Sequence, residues 1–234
     1  MDTQLPIKIE PQPDDTTCGP TCLQAVYRYY GESLSLKEVI DDTQTLSAGG
    51  TLDVFLANHA LQRGYRATIY TYNLQMFDPS WFTSRKVVLQ EKLKQQAQIK
   101  ADEKLQYATQ GYLEFLSLGG KLRYTDLNSR LIRNILRQQL PILTGLSSTY
   151  LYRASRVFGP DDQYDDIRGE ACGHFVVLAG YQRKGRLVQI ADPYLLNPLS
   201  EGQLYQVNID RVICAIMLGV LTYDANLLII HPRN

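Results

Sequence analysis

The sequence predicts an α+β fold, with a helical N-terminal half followed by a C-terminal half built as an antiparallel β-sheet. Three observations predict it. Apolar residues recur at three- and four-residue spacing behind Cys18, the period of a helix lying on a core. From Pro141 onward the chain breaks into short runs rich in Val, Ile, Leu and Tyr, the length of strands. Glycines at 31, 64 and 119–120 punctuate the first half where helices should stop. A chain of 234 residues that is 44% hydrophobic can bury a real core, and it suits one domain (1–234) carrying a helical insertion at about 81–120.

The elements follow in order. Cys22, Leu23, Val26, Tyr27 and Tyr30 line one side of a helix from Cys18 to Tyr30, and Gly31 supplies the stop. Pro20 is tolerable only in the first turn, where its missing N–H costs no hydrogen bond, so Cys18 stands at the helix start with Thr16 or Thr17 as N-cap. Ser35 to Asp41 reads as a second helix with a Ser35/Glu38 capping box. Gly49-Gly50-Thr51 opens a third, through about Arg63, and Tyr65 to Tyr72 alternates as a strand. Gln90 to about Leu118 is polar with a partial apolar stripe, either a surface helix or two packed helices. Asp126 caps a further helix to about Gln139. Strands are expected over 142–151, 174–181, 186–192 and 226–231, and Arg153 to Cys172, with Asp161, Asp162, Asp165 and Asp166, as a long loop.

Composition narrows the partners. Lys plus Arg and Asp plus Glu number 24 each, and no basic run marks a nucleic-acid footprint. Four cysteines in a chain of this length do not make a disulfide framework. The N-terminus lacks a basic, then apolar, leader pattern, and the apolar stretch Val212–Leu221 is too short to span a bilayer. A reducing cytoplasm is the expected setting, with no membrane partner.

Four residues carry the chemistry. Cys18 follows Gln12-Pro-Asp-Asp-Thr-Thr, His174 opens the run Gly173-His-Phe-Val-Val-Leu, and Asp192 ends Ile190-Ala-Asp-Pro. A thiolate at a helix start is stabilised by first-turn N–H groups and the helix dipole. A histidine can take the thiol proton and return it to a leaving group, and an aspartate can fix the imidazole tautomer. A glutamine side-chain N–H can hold an oxyanion. Of the other histidines, His59 sits inside a helix and reads as structural, and His231 as a strand-end residue. Cys22 and Cys214 read as core. Cys18, Cys22, Cys172 and His174 would make a zinc set, but the arms have the wrong spacing and Pro20 lies within one of them. Gly49-Gly50-Thr51 is too short for a phosphate loop, so no metal or cofactor is expected.

These residues resemble the papain-like cysteine peptidases of the C39 and C39-like group, which includes leader-removing domains of bacteriocin exporters and stand-alone proteins. The resemblance covers Gln12 to Gly31, Gly49 to Gly64 and Gly173 to Tyr194. It implies a papain-like fold, a peptide or protein substrate, Cys18 as nucleophile, His174 as base, Asp192 as orienter and Gln12 as oxyanion donor. The segment from about Trp81 to Leu118 is longer than in the exporter domains, no transporter segment follows, and Thr-Thr-Cys-Gly-Pro-Thr is similar to stand-alone members. An acyltransferase that passes the acyl group to an amine or thiol, and a non-catalytic peptide-binding module, are the competing readings.

Overall fold

A computed structural model describes residues 2–47, 49–84, 86–159 and 163–233. The N-terminal half runs β1 (Thr3–Gln4), α1 (Cys18–Tyr29), α2 (Leu36–Asp42), α3 (Asp53–Gln62) and β2 (Arg66–Thr71). A 3-10 turn at Pro79–Phe82 leads to α4 (Leu89–Ile99), α5 (Glu103–Ser117), β3 (Lys121–Arg123) and α6 (Ser129–Arg137). The C-terminal half holds β4 (Ile142–Ser147), α7 (Ser148–Tyr152), β5 (Val157–Phe158), β6 (Gln163–Tyr164), β7 (Gly173–Gln182) and β8 (Leu187–Ala191). It ends with β9 (Leu204–Asn208), α8 (Ile209–Leu218), a 3-10 turn at Gly219–Thr222 and β10 (Asn226–His231). This is an α+β, papain-like architecture.

The sheet runs β3-β2-β10-β4-β7-β8-β9, and β1 adds to the end of β7 that outruns β4. Among the described residues every strand pairing is antiparallel except β2 with β3. The sheet therefore takes in β2 from the helical half as well as the C-terminal strands. β4 is buried throughout and β7 is buried except at its ends, so both faces of the sheet are covered. One packed set of helices, α1, α3 and α5, lies against β7, β4, β2 and β10, and a second set, α6, α7 and α8, packs on β4 and β7.

Local chemistry explains the boundaries. α2 has the Ser35/Glu38 capping box, with the Ser35 N–H donating to Glu38 Oε2 at 2.8 Å. The third helix starts later than the glycines suggest: Gly49 and Gly50 have φ of 89° and 75°, a turn, and the helix begins at Asp53. Asn128 rather than Asp126 caps α6, its Oδ1 accepting from the Leu131 N–H at 3.0 Å. The expected strand over 142–151 stops at Ser147, whose hydroxyl accepts from the Tyr150 N–H and starts α7. The polar stretch after Gln90 is two packed helices, broken before Asp102, which caps α5. α5 sends Leu105, Ala108, Tyr112 and Phe115 into the core. The expected loop over 153–172 contains the short β5–β6 hairpin; Asp161 and Asp162 lie outside the described residues.

Two carboxyls are buried against α5. Asn226 Nδ2 donates to Asp53 Oδ2 at 3.1 Å, and the Thr222 hydroxyl donates to Asp224 Oδ2 at 3.0 Å. Burial pushes both acids up, Asp53 further because Asp224 lies near it, and Asp224 to about 7. Gly145 of β4 is needed beside this pair, because a Cβ there would meet the Asp224 Cβ at 2.5 Å.

Candidate active site

α1 begins at Cys18, with Thr17 at the N-cap position. Thr17 gives no side-chain cap: its hydroxyl turns back and donates to the Asp14 carbonyl at 3.1 Å. No acid occupies the first turn either. The N–H groups there are left to meet negative charge arising at Cys18. Gly19 lets this helix end press on its neighbours, since a Cβ would meet Thr51 Cγ2 at 2.6 Å and the Phe175 ring at 3.3 Å. Through Thr51, whose hydroxyl donates to the Gln44 carbonyl, the loop before α3 thus seats the Cys18 end.

His174 is the second residue of β7, opposite Leu146 of β4. The β7–β8 ladder ends at Val177–Ala191, so Asp192 is the first residue beyond it. His174 Nε2 donates to Asp192 Oδ1 at 2.8 Å. That leaves Nδ1 as the ring nitrogen not engaged by Asp192, and Cys18 lies near enough to His174 to favour its charged form. Burial opposes charge on His174, yet the Asp192 carboxylate, then Cys18, outweigh it and raise the imidazole to about 10. Asp192 is fully buried. Burial pushes its carboxyl up, but His174, Tyr205 and Tyr152 together hold it below the usual range.

Asp192 is satisfied on every side. Oδ1 also accepts from the Tyr194 N–H at 2.9 Å, and Oδ2 accepts from the Tyr152 and Tyr205 hydroxyls at 2.7 and 2.5 Å. Both tyrosines are pushed well above their ordinary values by burial and by the Asp192 charge, so they remain donors. Neither was among the residues singled out from sequence. The alternation Leu204-Tyr-Gln-Val-Asn marks Tyr205 as an inward strand position, but nothing local ties it to Asp192.

Gln12 reaches the site through backbone pairing. Its N–H donates to the Pro193 carbonyl at 3.0 Å, and Gln203 Nε2 bridges the carbonyls of Glu10 and Asp192 at 3.0 and 3.1 Å. Gln12 and His174 stand in the wall of one cleft of about 180 Å³, with Tyr152, Tyr164, Cys172 and Tyr194. Gln12 Nε2 donates one N–H to the Asp14 carbonyl at 2.8 Å, which fixes the amide orientation, and among the described residues its second N–H has no recorded partner. Of the four sequence candidates, Gln12 and His174 share the cleft wall, Asp192 is bonded to His174 beneath it, and Cys18 lies near His174 at the start of α1.

The remaining candidates divide. Cys22 is fully buried, its thiol donating to the Phe175 carbonyl at 3.3 Å, and burial pushes it well up. Cys214, expected in the core, is exposed: α8 buries Val212, Ala215 and Ile216 and turns residue 214 outward. An apolar run cannot itself say which helix face it shows. His59 is structural, its Nδ1 2.7 Å from the Tyr27 hydroxyl. His231 ends β10.

A cysteine at a helix N-terminus, near a buried His–Asp pair, is an arrangement for attack on a carbonyl. Comparisons with known proteins agree in kind. The family model described as "Peptidase_C39 like family" matches residues 4–206. A putative C39-like peptidase from Bacillus anthracis shares the fold, with TM-score 0.54, 13% identity, and coverage of 100% of this chain and 99% of that one. The peptidase domain of Streptococcus ComA, a bi-functional ABC transporter, aligns at TM-score 0.45 and 14% identity, over 97% of this chain and 99% of the other. A double glycine motif protease from an AMS/PCAT transporter, solved with its leader peptide, aligns at TM-score 0.45 and 15% identity, over 100% of this chain and 99% of the other. No curated protein sequence matches the chain. With the family model spanning most of its length, the chain belongs to the Peptidase_C39-like family.

Proposed function

We propose that this protein is a thiol-dependent hydrolase that cleaves an amide or peptide bond, with Cys18 as nucleophile, His174 as acid and base, Asp192 as orienter and Gln12 as oxyanion donor. The observation that carries the reading is the buried His174 ring, bonded to Asp192 through Nε2 at 2.8 Å, with Cys18 near enough to favour its charged form. His174, raised to about 10, holds the proton on Nδ1 in a thiolate–imidazolium pair with Cys18, and the sulfur attacks the substrate carbonyl carbon. The carbonyl oxygen becomes an oxyanion, held by the Cys18 N–H and the second N–H of Gln12; one such donor is worth roughly 10²–10³ in rate. The oxyanion collapses, the C–N bond breaks, and His174 hands its proton to the departing amine. Water then attacks the thioester, giving one proton to His174; the C–S bond breaks, the carboxylic acid leaves, and the thiolate–imidazolium pair is restored. Asp192 keeps its charge throughout and stabilises the imidazolium.

The substrate class follows from the cleft, whose walls mix the Tyr152 and Tyr164 rings with backbone-rich Gly173 and Ala154, a surface suited to an extended peptide. Residues 1–234 act as one domain in this reading, with 81–120 an insertion that the core has absorbed through α5. The test is release of new amino termini from a diverse peptide mixture by the wild type and by Cys18→Ala. Release by the wild type alone is expected. No release, with Cys18 alkylated equally fast in wild type and His174→Ala, leaves a peptide-binding module instead.

A further inference from the structure

β7 carries His174 at one end and Tyr181 at the other, about 23 Å away at the rise of an extended strand. At the Tyr181 end lies a separate concavity of about 460 Å³. Four arginines line it: Arg130, Arg133 and Arg137 from α6, and Arg183 just beyond β7, with Asn134 and Tyr181 between them. Among the described residues none of the four guanidiniums forms an ion pair with a carboxylate. The one carboxylate recorded at Arg183, that of Asp2, accepts from its backbone N–H at 2.8 Å. Arg133 is held in place, with its Cζ 5.6 Å from the Tyr181 ring centroid and its Nε donating to the Ser129 carbonyl at 3.1 Å, so its terminal nitrogens are available.

Local electrostatics oppose this arrangement. Arginines three and four residues apart repel along a helix face. Arg130 also sits in the first turn of α6, where the dipole disfavours cations and no acid compensates. The chain as a whole is neutral, so general basicity does not account for the cluster. A multiply charged anion reverses each of these terms at once. Guanidinium forks match phosphate oxygens in pairs, and a concavity suits a compact ligand where a flat basic stripe would suit a duplex. The spread of the four residues over two distant segments hides the cluster in the sequence.

We propose that this pocket binds a compact polyphosphate, the di- or triphosphate group of a small molecule, independently of the Cys18 site. Calorimetric titration of the full chain with inorganic tripolyphosphate at low ionic strength tests it. One saturable site per chain is expected, competed by adenosine triphosphate. Arg130→Gln with Arg137→Gln, both exposed and hence safe for folding, should weaken it roughly tenfold or more. Lys94→Gln with Lys100→Gln, which removes the same charge elsewhere, should leave it unchanged. Non-saturable heat, equal binding by the arginine variant, or equal weakening by the lysine variant overturns the proposal. A single-stranded oligonucleotide that binds tighter than tripolyphosphate and is not displaced by it overturns it too, in favour of a nucleic-acid surface.

Discussion

The Tyr205 hydroxyl donates to Asp192 Oδ2, while His174 holds the other oxygen of the same carboxylate. A buried acid facing only an imidazole would be costly to keep ionised. Here Tyr152, Tyr205 and the Tyr194 N–H supply the missing donors, and the charge that raises His174 is thereby fixed. Removing one donor to a charged buried acceptor costs about 1.5–3 kcal/mol. Tyr205→Phe should therefore lower unfolding free energy by that order and raise the Asp192 pKa. The acid limb of kcat/KM should move to higher pH, as read from a pH–rate profile; an unmoved limb would mean that Tyr205 only packs.

Cys18 and Cys22 lie one helical turn apart but in different environments. Cys18→Ala should abolish peptide turnover with little change in melting temperature. Cys22→Ala should keep most of the activity and lose roughly 1–3 kcal/mol, because its fully buried thiol fills space and bonds the Phe175 carbonyl. The opposite pattern of activities assigns the nucleophile to the wrong cysteine.

Stability should depend on pH through two separate groups. His174 is raised to about 10, so its stabilising contribution is complete below its unfolded value near 6.5 and is lost as pH rises toward 10. Asp224 is raised to about 7 by burial, so its contribution is present below the ordinary carboxyl range and is lost as pH rises through 7. Denaturant titrations should show His174→Gln flattening the decline on the alkaline side and Asp224→Asn flattening it between about pH 4 and 7. Asp192→Asn should also bring the alkaline limb of turnover to lower pH, since the carboxylate is what raises His174.

Gln12 tests the oxyanion step. Gln12→Ala should lower kcat by roughly 10²–10³ with little change in KM. Alkylation of Cys18 by a small reagent should persist, because that reaction builds no tetrahedral oxyanion. Near-wild-type turnover of Gln12→Ala would falsify the role and leave Gln12 as the partner of the Asp14 carbonyl.

Gly19→Ala places a methyl 2.6 Å from Thr51 Cγ2, closer than real contacts allow. The start of α1 must shift or Thr51 must move. Turnover should fall more than stability does, because reacting atoms tolerate little misplacement. Pairing it with Thr51→Ser, which removes the obstructing methyl, should recover activity; no recovery would place the defect elsewhere.

The sequence by itself determined the features whose causes are local. The helix behind Cys18, the Ser35 capping box, the strand at Gly173 and the Asp-Pro end of β8 are written in period, cap and turn chemistry within a few residues. The candidates Gln12, Cys18, His174 and Asp192 are likewise named by local signals, and of these the structure joins His174 to Asp192 by a hydrogen bond. Where a local signal was shared between candidates the boundary moved, as with Asn128 taking the cap from Asp126 and Ser147 ending β4 to start α7. Tertiary structure decided what depends on register and facing. The ladder ending at Val177–Ala191 sets where the Asp192 carboxylate points, and a slip of one residue would send it to the other face. α8 chose which side of an apolar run to bury, and so exposed Cys214. Tyr152 and Tyr205 became partners of Asp192, and Asp53 of Asn226, only when distant elements met. Their hydrogen bonds are set by burial, which no stretch of residues specifies alone.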